Sequence, residues 1–236
     1  MNIACIVVLL FQEVTRESIV MYAFFLVYMS FVLIYGFMVN SFADLDEDRL
    51  AGKNRGFLDQ SRGPKYLFLL LSGSFIILYP AFQEPTLFII GLLVFLLATF
   101  YSVRPIRFKE RGLIGIIISA ISVGPFPFLI FLLGIKASPL LSCFLVFWLF
   151  LAAFISDLIH QIEDYNNDRK TRTDTWVQRI GLKKSKLFLK YSLFLLFVFC
   201  ILAPFIFTFH KGLLISGVLL VVSLQNFMED LLTLAE

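Results

Sequence analysis

The chain has 236 residues, of which 59% are hydrophobic and only 16% charged, with 29 Phe and a net charge of +3. A soluble domain of this size cannot bury so much apolar surface, so lipid has to serve as part of its solvent. The apolar residues fall in charge-free blocks of roughly 16 to 23, long enough to cross a ~30 Å hydrocarbon core as helices, and the alternating segments of about 10 residues that mark a membrane β-barrel are absent.

The expected fold is therefore all-α, a multi-pass transmembrane helical bundle of about seven to eight helices, forming one domain over residues 1–236. The first apolar stretch, Ile3–Phe11, is too short to cross alone and lacks the basic segment and cleavage site of a signal peptide. It reads as part of a helix. Spans are expected near 18–39, 66–82, 86–101, 113–134, 139–160, 187–208 and 212–227. Gly124-Pro125-Phe126-Pro127 predicts a broken or kinked helix inside the span 113–134. Cys5, Cys143 and Cys200 each sit in an apolar run, without paired spacing or a neighbouring His. They support neither a disulfide framework nor a zinc site and read as small hydrophobes.

The polar stretches 40–65, 102–111 and 160–190 hold 17 of the 20 Lys and Arg residues, and the opposite side holds only Arg16, Lys136 and Lys211. Interfacial anchoring explains charge at helix ends but not its concentration on one side. The asymmetry predicts that the three stretches are cytoplasmic, in a cell membrane, with the lipid bilayer as partner and no nucleic acid.

Two of these stretches are acidic. Asn40, Asp44 and Asp48 are four apart and share one face if the helix continues. Like charges at that spacing repel by some tenths of a kcal/mol each, and a divalent cation is the natural compensation. Mg²⁺ fits, because it takes one or two carboxylates and leaves water and phosphate oxygens to complete its shell. The bland alternative is a solvated acidic helix end. Farther on, Asp157, Gln161, Asp164 and Asp168 follow a 4, 3, 4 spacing, again one helical face. Asp157 and His160 close an apolar run, where ionisable groups usually face a cavity or pathway. Two carboxylate faces on one side of a bundle could hold two cations around one diphosphate.

Asn40-x-x-x-Asp44-x-x-x-Asp48 resembles the first aspartate-rich motif of the UbiA superfamily of intramembrane prenyltransferases, and Asp164-x-x-x-Asp168 resembles its second. The stretch Tyr101-Ser102-Val103-Arg104-Pro105-Ile106-Arg107-Phe108-Lys109 is similar to the loop before the fifth family helix. His160-Gln161, Thr173 and Gly181 also fit patterns in parts of the family. The sequence departs in two ways: the spans fall short of the family's usual nine helices, and Lys53-Asn54-Arg55-Gly56 lacks a Pro that often follows the Arg.

The resemblance implies a prenyltransferase that moves a prenyl group from a prenyl diphosphate to a hydrophobic acceptor, aromatic or lipid, with Mg²⁺. Asn40, Asp44, Asp48, Asp164 and Asp168 are the expected metal ligands, and the four aspartates the expected catalytic residues. Asn40, Lys53, Arg104, Arg107 and Lys109 are expected at the substrate, since metal ions and basic groups stabilise the charge of departing diphosphate. Tyr165, His160 and Asp157 join them, and Tyr101 is either a phosphate donor or an interfacial tyrosine. A carbocation left behind needs a dry cavity whose aromatic faces stabilise it. The same fold also allows cyclisation of the prenyl chain, or a non-catalytic binding protein derived by helix loss. A transporter would carry its carboxylates near the midplane rather than at helix ends. A phosphatidyltransferase of the CDP-alcohol type would need Asp-Gly and Ala-Arg elements that this sequence lacks.

Overall fold

The computed structural model describes residues 15–45, 62–171, 173–207, 212–221 and 223, with residues 62–64 as backbone only. The expectations for Ile3–Phe11, Asp48 and Lys53 lie outside these residues.

Helix α1 spans Arg16–Ala43 and is opened by a reciprocal cap. Thr15 Oγ1 accepts from the Ser18 N–H at 3.1 Å, and Ser18 Oγ accepts from the Thr15 N–H at 3.0 Å. Its 28 residues extend about 42 Å, more than a bilayer core needs, so the last turns rise out of the apolar zone with Asn40 on them. Arg62–Gln83 forms α2 and Leu87–Ser102 forms α3. A single 3₁₀ turn, Phe108–Glu110, precedes α4, Leu113–Val123.

The expected break is present. α4 ends at Gly124, whose φ of −108° and ψ of −85° leave the helical region, and α5 restarts at Pro125 and runs to Gly134. Proline at the first helical position forfeits only a donor that has no intrahelical partner. A Cβ at Gly124 would lie 3.3 Å from the Leu149 carbonyl, so the break also admits the backbone of α6, Pro139–Glu163. Ser138 caps α6, with Pro139 again in its first turn. Two short helices follow, α7 at Tyr165–Thr171 and α8 at Trp176–Ile180. Then come α9, Leu182–Ile201, α10, Ala203–Ile206, and α11, Gly212–Val221.

Helix α1 packs on α2 and α3, α3 on α4 and α5, α4 and α5 on α6, and α6 on α9. Aromatic rings fill the seam between α1, α2 and α5. Tyr28 stacks on Tyr79 at 5.2 Å, Phe75 on Tyr79 at 5.4 Å, and Phe25 meets Phe131 at 5.1 Å. Outward-facing Phe82, Phe194 and Phe205 are largely exposed, which only a lipid environment makes cheap. Among the described residues, five helical stretches are long and apolar enough to cross a membrane: 16–43, 65–83, 113–134, 139–163 and 182–206. These match five of the expected spans. The other two are shorter: α3 has 16 residues, about 24 Å, and the described part of α11 is shorter still.

Candidate active site

The polar ends of α1, α3, α4 and α6 meet at one end of the bundle. Asp44 and Asn40 stand one turn apart, as expected, with the Asp44 N–H donating to the Asn40 carbonyl at 3.0 Å. The helix does not continue through them, however. α1 stops at Ala43, and Asp44 is its C-terminal cap. Asn40 Oδ1 accepts from Ser102 Oγ at 2.8 Å, a bond that ties α1 to the end of α3 and aims Asn40 into the bundle.

The Asp44 carboxylate is almost fully enclosed and meets two cations. Arg107 Nη2 donates to Asp44 Oδ1 at 3.2 Å, and Lys109 Nζ donates to the same oxygen. A buried carboxylate needs such partners, because desolvation otherwise costs several kcal/mol per ion. Arg107 is itself 4% exposed. It holds a left-handed backbone (φ 43°, ψ 65°) that starts the 3₁₀ turn, and its Nε lies 2.7 Å from Glu110 Oε1. Non-glycine residues rarely adopt this conformation, so the surroundings must enforce it. Beneath the turn, Gly115 permits very close approach: a Cβ there would lie 2.5 Å from the Phe108 carbonyl oxygen. Arg104, by contrast, is exposed.

Opposite, a polar chain crosses α3, α4 and α6 and reaches α8. Tyr101 hydrogen-bonds to Ser119, and Ser119 Oγ donates to Asp157 Oδ1 at 3.4 Å. Gln161 Nε2 donates to Asp157 Oδ2 at 3.3 Å, confirming that the two share a face of α6. Gln161 Oε1 in turn accepts the Val177 N–H at 3.5 Å. The charges of Asp157, Asp44 and Asp168 all act on the Tyr101 phenol. Carboxylates from both acidic stretches therefore lie within electrostatic range of this one side chain.

Asp164 is the C-terminal cap of α6, half-buried, and accepts from Asn167 Nδ2 at 3.3 Å. Asp168 follows one turn later, its N–H donating to the Asp164 carbonyl at 2.8 Å. Thr175 Oγ1 donates to Asp168 Oδ2 at 3.2 Å while capping α8. The Tyr165 carbonyl accepts from Gln178 Nε2. His160 points elsewhere: its ring is largely exposed, with Nδ1 3.5 Å from Glu163 Oε2. Arg179 joins the two halves of the polar cap, donating from Nη2 to the Glu110 carbonyl at 3.0 Å and to Asp174 at 2.7 Å. Its guanidinium holds the Asp174 carboxyl below the usual carboxylate range.

Sequence reasoning did not single out Ser102, Ser119, Thr175, Glu110 or Arg179. Ser119 had a usable signal, as a hydroxyl within an apolar run at the depth of Asp157. Ser102 and Arg179 are tied to the site by contacts distant in sequence, whereas Glu110 pairs with Arg107 and Thr175 with Asp168 at short range. Among the described residues, no three His, Cys, Asp or Glu side chains gather closely enough to hold a metal ion on their own. The available donors are oxygens alone, from Asn40, Asp44, Asp164 and Asp168. That set suits Mg²⁺, which usually keeps water and substrate oxygens and takes only one or two protein carboxylates.

Solved structures of a UbiA homolog from Archaeoglobus fulgidus have this fold. One, bound to GPP and Mg2+, aligns with a TM-score of 0.76 at 16% identity over 96% of this chain and 81% of that one. A second, bound to DMAPP and Mg2+, gives 0.75 at the same identity and coverage. A third, bound to Cd2+, gives 0.69 at 16% identity over 92% and 77%. Identity this low speaks for the fold alone. No curated protein sequence matches the chain. The UbiA prenyltransferase family matches residues 1–230, nearly the whole length, and the chain belongs to that family.

Proposed function

We propose that this protein transfers a prenyl group from a prenyl diphosphate to an aromatic or lipid acceptor within the membrane, with its acidic end in the cytoplasm. The observation that carries this reading is the enclosure of Asp44 beside Asn40, with Arg107 and Lys109 on its carboxylate, at the same bundle end as the Ser119–Asp157–Gln161 chain. The GPP and DMAPP bound with Mg2+ by the archaeal homolog support the same donor class.

Asn40, Asp44, Asp164 and Asp168 would hold Mg²⁺, with Asp48 as a further ligand. Bound there, the ion neutralises diphosphate oxygens and so stabilises the charge of the leaving group. The protein adds cations of its own. Lys109 and Arg107 lie at Asp44, and Arg104 and Lys53 belong to the same basic set; Arg suits bidentate phosphate contacts. Tyr101 and Tyr165 are hydroxyl donors at the same end. The allylic C–O bond breaks with its electron pair leaving on the diphosphate. The prenyl carbon then bonds to the acceptor, which gives up a proton. Asp157, held by Ser119 and Gln161, would be the carboxylate that takes that proton. The surrounding bundle keeps water from the cationic carbon.

The test is diphosphate release by purified protein in detergent, with Mg²⁺, radiolabelled prenyl diphosphates and a panel of aromatic acceptors. Release that requires metal and disappears in Asp44→Ala and Asp164→Ala is expected. Absence of release with every donor, from folded protein, would overturn the transferase reading in favour of a non-catalytic binding protein. Release with a cyclised product and no use of acceptor would assign the cyclase reaction.

A further inference from the structure

The two halves of the polar cap are far apart in sequence, and their backbones meet where Gly112 forms an isolated parallel bridge with Thr175. Arg179 lies across that meeting point. Its Nη2 donates to the Glu110 carbonyl at 3.0 Å, while Nε and Nη2 donate to the two carboxylate oxygens of Asp174 at 2.9 and 2.7 Å. Gly112 holds a φ of +60°, and a Cβ there would lie 2.9 Å from Arg179 Nη1 and 3.1 Å from Cζ. The guanidinium therefore packs directly on the glycine, in a backbone conformation that glycine adopts without strain.

Both ends of this contact lead to an acidic stretch. On one side, the Glu110 carboxylate pairs with Arg107 at 2.7 Å, and Arg107 reaches Asp44 at 3.2 Å. On the other, the Thr175 carbonyl accepts the Arg179 N–H at 3.2 Å, and the Thr175 hydroxyl donates to Asp168 Oδ2 at 3.2 Å. The Arg179 and Asp174 side chains are 46% and 58% exposed, and ion pairs so open to water add little to stability. What a two-pronged guanidinium–carboxylate pair supplies at such a place is fixed geometry.

We infer that Arg179 is a positioning residue: it fixes the turn that carries Arg107 and Lys109 against the segment that follows Asp168, and so sets the gap between the two carboxylate groups that bind the metal and diphosphate. The inference rests on the transferase reading above. Arg179 acts through Glu110 and Thr175 rather than on the diphosphate itself.

The experiment compares native protein with Arg179→Ala, Arg179→Lys, Asp174→Asn and the Arg179→Ala/Asp174→Asn double variant, all purified in detergent. Three quantities are measured: hydrogen exchange of residues 107–112 with chelator present, melting temperature with and without Mg²⁺, and the Mg²⁺ needed for half-maximal diphosphate release from geranyl diphosphate. Arg179→Ala is expected to melt close to native in chelator, yet to exchange faster over 107–112 and to gain less melting temperature from Mg²⁺. Its half-saturating Mg²⁺ should rise roughly tenfold, with a smaller change in kcat at saturating metal. Arg179→Lys keeps the charge without the fork and should not restore these properties. Asp174→Asn should shift them in the same direction, and the double variant should be no worse than Arg179→Ala, because both changes remove one contact. Asp174→Asn decides the matter on the same criteria should Arg179→Ala not fold.

Native exchange and a native Mg²⁺ requirement in folded Arg179→Ala overturn the inference. So do losses that multiply in the double variant, and so does full restoration by lysine, which would make charge rather than geometry the cause. Native protein that releases no diphosphate counts against the transferase reading instead, and hydrogen exchange with chelator still decides whether Arg179 fixes the turn.

Discussion

The guanidinium of Arg107 lies 3.2 Å from the carboxylate of Asp44, across 63 positions of sequence, with both side chains nearly enclosed. One of the two groups was expected at metal and the other at phosphate, yet each is the other's partner. Arg107 is also held at φ 43°, so the contact is maintained against a backbone preference.

That combination separates two substitutions. Arg107→Ala loses the charged hydrogen bond and keeps a side chain in the left-handed region, for a cost of about 1–3 kcal/mol. Arg107→Gly loses the same bond but accepts the backbone freely, so it should be the more stable of the two by about 1 kcal/mol. Thermal unfolding in detergent should rank native first, Gly second and Ala last. If Ala melts at or above Gly, the backbone at residue 107 is not constrained as described.

Gly115 supports the same turn from below. Its Cβ would stand 2.5 Å from the Phe108 carbonyl and 3.2 Å from Lys109 Cα, both backbone atoms that cannot swing aside. Gly115→Ala should therefore cost about 1–3 kcal/mol through overpacking and displace the turn that carries Arg107 and Lys109. Donor KM should rise more than kcat falls. An unchanged KM with an unchanged melting temperature would mean that the turn relaxes at no cost.

Tyr101, Ser119 and Asp157 form one chain of hydrogen bonds rather than three separate groups. Removing either hydroxyl breaks the chain, so Tyr101→Phe and Ser119→Ala should each lower kcat/KM, while the double variant should lose less than the product of the two. The kinetics of the four proteins form the cycle. Multiplying losses would show that the phenol and the serine act independently.

The sequence was informative where a local rule sufficed. Gly124-Pro125 interrupts a helix whatever surrounds it, and Ser138-Pro139 marks the start of α6. The expected span closes near 160, where Asp157 and His160 end the apolar run, and the helix itself runs on to Glu163. Hydrogen bonding nevertheless continues to Asp164, whose N–H donates to the His160 carbonyl at 2.9 Å. At the site, the 4, 3, 4 spacing correctly put Asp157 and Gln161 on one face. No spacing could show that Arg107 and Lys109 turn back to Asp44, or that Arg179 bridges to the Glu110 carbonyl, since these contacts depend on how distant loops pack.

The pairing of Lys109 with Asp44 tests whether that carboxylate binds metal. Both side chains are about nine-tenths enclosed, so their interaction is weakly screened and should register in a double-mutant cycle. Thermal stabilities of native protein, Asp44→Ala, Lys109→Ala and the double variant, measured with chelator, should give a coupling of about 0.5–3 kcal/mol. Saturating Mg²⁺ should then shrink it, because an ion bound to Asp44 competes with the ammonium for the same lone pairs and repels it. Lys109→Ala should lose little metal-induced stabilisation, and Asp44→Ala should lose most of it. A coupling that Mg²⁺ leaves untouched, together with metal-induced stabilisation surviving in Asp44→Ala, would make Asp44 a structural counter-ion for the basic turn and leave Asp164 and Asp168 as the metal's carboxylates.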